Sequence, residues 1–574
     1  MRRRKLSGVM AAVVVLLAPL AAAAADEDVL RRIEALSREI EQLKSQVRAN
    51  EDKAARSEAD TRAAARKAQE RALDRWLTIG GDYRFRVDSL RGETRPFTDA
   101  AATFANAQNR LQAEFFANPN PATGGALTGL MQFAQGMNAV RTYSDALAFL
   151  GANGAMAQGL GNFAVPVAAY KPRNDTLYTN RLRLDLHAKA TQDVSVTTRL
   201  AMYKTFGAQD DDAVTNSGAA PFFADRVGVF DGTVGHVPSS GTVAVDRAYA
   251  TWSNITGRDI WFSVGRRPST NGAPSNLKLN EPRPGNGGTP SLLVDYAFDG
   301  MTLGYAPDVD GFPGAYGKIC YGRGFESGFR HTPANSLQDT DMFGFSVVPI
   351  DTDKLRVWTQ WNRGFHIFDA PKMSGTFFGE TAPRADLGDI DWFGLGAMST
   401  LKNVGPGNLN LFADAAVSVT HPSNNVSSQF GFQGLLSGGF FAPEAPTSKT
   451  GTAIAVGLRY DLPSRTKIGF EYNRGSKNWI TFAPAADDVW TAKAGARGNV
   501  YELYVIQEFG GKAVSSFGSK AFFKLGAQYY DFKYTGSNNW VGAPVRISDV
   551  NGQFSALTPL KKAWDIYGTF EVKF

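Results

Sequence analysis

The chain has 574 residues, of which 59 are glycine, 12% are aromatic and 20% are charged. No run of about 18 uncharged apolar residues follows the N-terminal region, so no transmembrane helix is predicted. The single cysteine, Cys320, excludes an intramolecular disulfide and a cysteine-based metal cluster. Residues 2–5 supply four of the charges in the formal net charge of +6, so the composition does not argue for a nucleic-acid partner.

The N-terminus has the three parts of a secretory signal peptide. Residues 2–5 are basic, residues 9–20 are apolar, and residues 23–25 are alanines that suit a peptidase. We predict a signal peptide over residues 1–25 and an exported protein. The alternative is an uncleaved membrane anchor, which the short apolar stretch disfavours.

Residues 26–75 contain no glycine or proline and are rich in Ala, Arg, Glu and Lys. Apolar side chains recur there at spacings of three and four residues, as in the seam of a coiled coil. The seam residues are Val29, Ile33, Leu36, Ile40, Leu43 and Val47. We predict an oligomeric coiled-coil stalk in the periplasm, where peptidoglycan or a periplasmic protein could bind it. The alternative is one amphipathic helix lying on its own protein.

From residue 77 the apolar period changes to two. In residues 77–88, 180–189, 194–201, 409–418 and 454–461, one face is apolar and the other is more polar. Runs of about ten residues with this alternation are typical of outer-membrane barrels, whose apolar face meets lipid and whose polar face meets a watery lumen. A soluble sandwich would also alternate, but with turns every 8–12 residues or so. We therefore predict an all-β membrane barrel over residues 76–574.

Short and long connections alternate along the predicted barrel, as tight periplasmic turns and long outer loops do. The short ones are 191–193, 256–258, 298–300, 351–353, 403–407, 463–464 and 510–518. The long ones are 89–175, 207–241, 268–290, 307–340, 368–389, 421–450, 476–498 and 535–562. This pattern predicts about 16 antiparallel strands. Residues 317–323 have the pattern of a strand, but one more strand would make the number of strands odd, so we assign them to the fourth long connection. If they cross the membrane together with another strand that the pattern does not reveal, the count rises to 18.

The last strand alternates up to the final residue. Its apolar positions Phe570, Val572 and Phe574 resemble the C-terminal signal that the barrel-assembly machinery reads in bacterial outer-membrane proteins. The alternative is a chance phenylalanine at the end of a soluble strand. The resemblance implies that this strand closes the barrel and that the assembly machinery is a partner.

Four longer sequence segments resemble those of one protein family. The segments WLTIGGDYRFRVDS, VDRAYATW, FSVGRRPS and LLVDYAFDGMTLGYA follow the predicted stalk in that order. Together they resemble a family of bacterial outer-membrane porin-like proteins of unknown function with an N-terminal coiled coil. The resemblance implies a channel in the outer membrane, surrounded by lipid. The analogous plan of stalked trimeric porins suggests a homotrimer.

No catalytic or metal site is predicted. Among the five histidines, only His187 falls in a strand core, where it is expected to face the lumen; His236, His331, His366 and His421 fall in loops or at strand tops. No nucleophile or zinc motif accompanies them. Cys320 is interpreted as an incidental loop thiol, and Asp210, Asp211 and Asp212 as a solvated acidic tip rather than a cation site. We expect no enzyme activity and no cofactor.

Charges on the predicted inner face would set the selectivity of a channel. The predicted pore-lining residues are Arg84, Arg86, Arg181, Arg183, Asp185, His187, Lys189, Arg199, Arg459 and Lys524. The first four lie on the first two strands, and we predict that they form a basic strip that favours anions. The alternative is that most of these charges form interspersed ion pairs.

The long connection 89–175 contains apolar residues at helical spacing, such as Leu130, Phe133, Met137 and Val140. Loops of this length usually have structure and often function. We expect helices here that pack over or into the barrel mouth and narrow it. The alternative is a cap that contacts an external partner.

A barrel of 16 strands is wide enough for an aqueous channel. The sequence therefore favours passive diffusion of small hydrophilic solutes or ions, and uptake of one nutrient, such as phosphate or a carboxylate, is a variant of this hypothesis. The competing hypothesis is a structural barrel that tethers the outer membrane or sheaths a partner protein.

Overall fold

The computed structural model describes Glu41 and residues 76–574 except 208–237, 239–240, 270–271, 285–291, 330–336, 370–372, 377–378, 484–487 and 516–517. The chain divides into two units, 1–75 and 76–574, and the second is described below. The predicted signal peptide, the coiled-coil seam, Asp210–Asp212, His236 and His331 lie outside the described residues. Within the described part, no helix is long and apolar enough to cross a membrane.

Sixteen antiparallel strands close into one barrel. They are β1 (Leu77–Thr94), β2 (Arg173–Lys189), β3 (Val194–Thr205), β4 (Ala244–Trp252), β5 (Ile260–Ser269), β6 (Tyr296–Tyr305), β7 (Tyr316–Phe325), β8 (Thr340–Asp351), β9 (Leu355–Phe365), β10 (Gly388–Val404), β11 (Gly407–Pro422), β12 (Thr450–Asp461), β13 (Thr466–Gly475), β14 (Gly498–Glu508), β15 (Lys520–Phe532) and β16 (Leu560–Lys573). Each strand pairs with its neighbours in sequence, and β16 pairs with β1. The predicted strand number is confirmed.

The outer surface of the barrel is that of a membrane protein. Outward side chains such as Leu503, Leu525 and Ile566 are 54%, 66% and 63% exposed, while their inward neighbours are buried. Aromatic rows flank this apolar band at both ends: Tyr529 and Trp564 at the long-loop end, and Phe523 and Phe570 at the short-turn end. Because closure pairs the backbone groups of every strand with a neighbour, the wall is compatible with hydrocarbon. This protein is a bacterial outer-membrane β-barrel.

One part of the strand prediction was wrong. Residues 298–300 are not a turn but lie inside β6, and residues 317–323 are not part of a loop but belong to the spanning strand β7. The two errors cancel, so the count stays at 16. The sequence Phe-Asp-Gly at 298–300 imitates a turn, but Gly300 is there because β7 passes so close that a Cβ would lie 2.1 Å from the carbonyl oxygen of Tyr321. Cys320 is correspondingly a strand residue on the inner face, not a loop thiol.

Eight long connections and seven short ones join the strands. The long ones, named loops 1 to 8 here, are residues 95–172, 206–243, 270–295, 326–339, 366–387, 423–449, 476–497 and 533–559. Both ends of the barrel lie on the side of the short turns. The last residue hydrogen-bonds to β1, since the backbone N–H of Phe574 donates to Gly81 at 3.0 Å and that of Gly81 donates to Phe574 at 2.9 Å. The role of the last strand in assembly stays a prediction.

Loop 1 is helical, as its apolar spacing predicted. It contains α1 (Ala100–Ala117), α2 (Pro121–Ala139), α3 (Tyr143–Ala152) and α4 (Gly154–Gly159). Side-chain caps begin the first three helices, and the hydrogen bonds that Thr142 makes at the start of α3 hold the pKa of Asp145 below its usual range. A hydroxyl and a carboxylate thus satisfy backbone donors that the first turn leaves unpaired.

The helices of loop 1 pack on other long loops. Leu130 and Phe133 are buried in a cluster that includes Phe441 of loop 6, and the backbone N–H of Tyr143 donates to Asn424 of the same loop at 2.8 Å. Residues Phe97–Asp99 pair in parallel with Phe554–Ser555 of loop 8. Loops 1, 6 and 8 therefore form a joined cap at the long-loop end.

An apolar core fills part of the lumen. Inward wall residues such as Trp392 and Phe412 pack there with side chains from loops 3, 5, 6, 7 and 8. The indole N–H groups are satisfied within it: that of Trp392 donates to the carbonyl of Ile480 at 2.9 Å, and that of Trp540 donates to the carbonyl of Phe368 at 2.8 Å. This packing anchors the loops inside the barrel.

Candidate functional site in the barrel lumen

The basic strip lies on the inner face of β1 and β2. The two strands are neighbours, and their register places Arg84 directly opposite Arg181 and Asp82 opposite Arg183. Arg84, Arg86, Arg181 and Arg183 are all inward and nearly fully buried, at 1%, 1%, 3% and 7% exposed. The alternation of the strands and their pairing bring four guanidinium groups together on one patch of wall.

Carboxylates partner much of this strip. Asp82 accepts from Arg183 at 2.6 Å and from Arg181 at 3.3 Å. Arg86 contacts Asp88 at 2.6 Å and Asp565 of β16 at 2.9 Å. The basic strip therefore contains ion pairs, which was the alternative interpretation of the charges on the inner face. Burial of unpaired guanidinium groups would cost several kcal/mol each, and these partners offset that cost.

Loop 3 enters the lumen. Its residues Asn276, Leu277 and Asn280 are 1%, 2% and 1% exposed. Backbone carbonyls of this segment accept hydrogen bonds from cations of the wall: Leu277 from Arg459 at 2.6 Å and Leu279 from Lys573 at 2.9 Å. The segment therefore crosses the interior toward the short-turn end of the barrel.

Loop 7 meets loop 3 inside the barrel. Val294 and Phe482 form a parallel bridge between the two loops, with the N–H of Phe482 donating to Leu293 at 3.1 Å. Lys278 of loop 3 contacts Asp488 of loop 7 at 3.1 Å. The two loops thus hold each other in place across the lumen.

Glu502 of β14 joins both loops to the wall. Its carboxylate contacts Lys278 of loop 3 at 2.8 Å and Lys493 of loop 7 at 2.5 Å. It also accepts a hydrogen bond from the hydroxyl of Tyr567 at 2.7 Å. Lys493 makes a second ion pair, with Glu471 of β13. One buried carboxylate therefore fixes two lysines from different loops.

A cavity of about 80 Å³ lies between the basic strip and the two loops. Seven cationic and three acidic side chains are among its lining residues. The cations are Arg84, Arg86, Arg181, Arg183, Lys278, Lys493 and Lys524, and the acids are Asp295, Glu471 and Asp488. Asp82, Asp88, Glu502, Asp565 and Glu571, which pair with or lie beside these cations, are not among the lining residues. Cationic side chains therefore outnumber acidic ones among the residues that line the cavity.

The remaining predicted pore-lining residues are spread over the inner face. Lys524 lines the cavity and contacts Glu571 at 3.1 Å, and Arg459 pairs with Asp461 at 2.7 Å. Arg199 pairs with Asp246, and the ring of His187 contacts the hydroxyl of Thr197 at 3.0 Å. Asp185 and Lys189 are partly exposed. None of these last four is among the residues that line the cavity.

Sequence reasoning missed Lys278 and Lys493. Strand alternation identifies only wall residues, and both lysines lie in long connections that the pattern assigned to the outside. A signal did exist: residues 477–483, KNWITFA, are apolar and aromatic in a stretch that would otherwise face water. An apolar run inside a long loop indicates a segment that is buried elsewhere in the molecule.

Two histidines pair with carboxylates near the long-loop end. Nδ1 of His366 lies 2.8 Å from Asp386, and Nε2 of His421 lies 2.8 Å from Asp391. In the part of the chain that the structure describes, no group of three or more His, Cys, Asp or Glu side chains is placed to hold a metal ion. The expectation that the protein is not an enzyme stays a prediction.

Comparisons with known proteins give remote structures and one family. One similar solved structure is OprB of Pseudomonas putida at high pH, which has 10% sequence identity, covers 88% of this chain and 96% of its own, and has a TM-score of 0.40. OmpT of Vibrio cholerae in its trimer form has 11% identity, covers 87% of this chain and 99% of its own, and has a TM-score of 0.36. An anion-selective porin from Comamonas acidovorans has 10% identity, covers 87% of this chain and 99% of its own, and has a TM-score of 0.35. No curated protein matches the sequence. Residues 171–574 match the model of a family described as "Protein of unknown function (DUF3373)". The family match extends from just before β2 to the last residue.

Proposed function

We propose that this chain, which belongs to the DUF3373 family of proteins of unknown function, is an outer-membrane channel through which small hydrophilic solutes or ions diffuse, with a preference for anions. The observation that carries the proposal is the cavity between β1, β2 and loops 3 and 7, lined by seven cations and three carboxylates. Positive charge at the narrow part of a pore lowers the energy of an anion there and raises that of a cation.

The arrangement of charge favours a channel that prefers anions over a channel with an electrically neutral lining. Lys278 and Lys493 reach the cavity from loops, while Glu502, which pairs with both, lies behind them on the barrel wall. An anion in the cavity would therefore meet seven cationic side chains and three acidic ones. In a partly dehydrated lumen, this difference in charge has a larger effect than in bulk water.

A structural role is the second candidate, because the apolar core occupies part of the lumen. A sealed barrel would act as a scaffold that tethers the outer membrane or encloses a partner. The proposal of a channel also includes self-association as a trimer and a periplasmic contact of the stalk with peptidoglycan or another protein. Assembly by the barrel-assembly machinery and a nutrient substrate such as phosphate or a carboxylate belong to the same proposal.

Ion selectivity of variants tests the role of the basic strip. The double variant Arg84→Gln with Arg181→Gln removes two cavity charges, and we expect its reversal potential in a salt gradient to move toward zero relative to the wild type. The matched control is Arg267→Gln with Arg356→Gln, which removes two guanidinium groups on other strands that are not among the cavity residues. An unchanged reversal potential in the Arg84 and Arg181 variant would contradict the anion preference.

A further inference from the structure

A second charged site lies on the outer face of the barrel, at the end of the long loops. Four outward aromatic residues stand directly opposite one another on β13 to β16: Tyr472, Tyr501, Tyr529 and Trp564. Their ring centroids are 5.1, 6.2 and 5.3 Å apart in that order. Such a row marks the depth at which the hydrocarbon meets the lipid headgroups.

The next outward row toward the long loops is polar. It consists of Arg474, Asn499, Asp531 and Lys562, again in register on the same four strands. The hydroxyl of Tyr472 donates a hydrogen bond to this row, to Oδ1 of Asn499 at 2.9 Å. The change from apolar to polar within two residues places this row in the headgroup layer of the outer leaflet.

A groove of about 870 Å³ opens at this level. Six cationic side chains and one carboxylate line it, and we call it the rim groove. Its cations are Arg95, Arg474, Lys477, Lys533, Arg546 and Lys561. The carboxylate is Asp531, which pairs with Lys533 at 2.8 Å. The groove is therefore strongly cationic where lipid headgroups must lie against the wall.

Half of these six cations are available to a ligand. Within the described residues, Arg474, Lys477 and Arg546 are exposed and make no side-chain ion pair. Lys561 approaches Glu93 only at 3.5 Å. Exposed lysines and arginines without carboxylate partners repel one another, and a bound anion would relieve that repulsion.

We propose that the rim groove binds the phosphate groups of a phosphorylated glycolipid in the outer leaflet. Guanidinium groups match phosphate oxygens in paired hydrogen bonds, and ammonium groups attract them as point charges. The aromatic row below packs against the first part of the acyl chains, so one lipid satisfies both rows. A free phosphate would use only the upper row, and a second copy of this chain would have to bring acidic residues to the same place.

Binding of purified lipid A to the full-length protein in detergent micelles tests the proposal. The variant Arg474→Gln, Lys477→Gln, Arg546→Gln removes three unpaired charges, and we expect its affinity for diphosphorylated lipid A to fall about tenfold or more. The control Arg258→Gln, Lys354→Gln, Lys402→Gln removes equal charge from exposed positions near the short turns and should bind as the wild type does. Heat-modifiable migration on a gel verifies that each barrel is folded.

Three outcomes would overturn the proposal. Equal loss of binding in the control would show attraction by net charge alone. Inorganic phosphate that competes as strongly as lipid A, mole for mole, would identify a site for free phosphate. A rim-groove variant that binds lipid A normally but changes oligomer size would identify the groove as a contact between copies of the chain. Weaker binding of monophosphoryl than of diphosphoryl lipid A by the wild type, abolished in the rim-groove variant, supports the proposal.

Discussion

Glu502 and its two lysine partners show how single residues fix the interior of this barrel. The carboxylate is 1% exposed, and Lys278 and Lys493 approach it from loops 3 and 7. Removing one member of a buried charge cluster leaves the others without compensation, which costs more than the cluster itself contributes. Lys278 and Lys493 also line the 80 Å³ cavity, so the ion pairs that position loops 3 and 7 also place two ammonium groups there.

Replacement of Lys493 by glutamine should destabilise the barrel. Glu471 would lose its ammonium partner and Glu502 one of two, and we expect the free energy of unfolding to fall by about 3 kcal/mol. Urea unfolding in lipid vesicles, followed by tryptophan fluorescence, measures this. Lys512→Gln, at an exposed position in the turn between β14 and β15, is the control and should leave stability unchanged. Equal stability of both variants would mean that the cluster is not buried.

At the scale of elements, loops 3 and 7 rather than the helical cap supply the loop residues that line the 80 Å³ cavity. Loop 1 was expected to pack over or into the mouth. Its helices pack on loop 6, its residues Phe97–Asp99 pair with loop 8, and no residue of loop 1 is among those that line the 80 Å³ cavity. Loops 3 and 7 supply that lining instead. Whether the cap also contacts an external partner stays a prediction.

Deletion of residues 108–161 tests which loop limits the current. If loops 3 and 7 form the constriction, this deletion should have little effect on single-channel conductance and should keep the sign of the ion selectivity. Lys278→Gln should change the ion selectivity. Gel migration before and after heating reports whether the shortened protein folds. A large increase in conductance after the deletion would show that loop 1, rather than loops 3 and 7, limits the current.

The register of β7 gives a separate test of the corrected strand assignment. Ile319 is 52% exposed on the lipid side, and the neighbouring Cys320 faces the lumen, where the hydroxyl of Thr302 lies 3.2 Å from its Sγ. A spin label on Ile319→Cys, in a Cys320→Ser background, should be reached by oxygen dissolved in the bilayer. A label on Cys320 itself should be shielded. Equal accessibility at the two positions would place 317–323 in a loop after all.

At the scale of the whole molecule, alternation along the strands carried most of the prediction. It identified the barrel, the strand number and the inward direction of Arg84, Arg86, Arg181 and Arg183, because a lipid-facing wall forces a strict period of two. It failed at 298–300, where a turn-like Phe-Asp-Gly lies within a strand. It could not place Lys278 or Lys493, because the path of a long loop depends on packing against distant residues such as Trp392 and Phe412.

Single-channel recording of the refolded wild-type protein in a planar bilayer tests the central claim most directly. We predict a stable open conductance and, in a salt gradient, a reversal potential whose sign shows that anions cross more readily than cations. A folded barrel that conducts no current would contradict the channel and favour a structural role for a lumen closed by its apolar core.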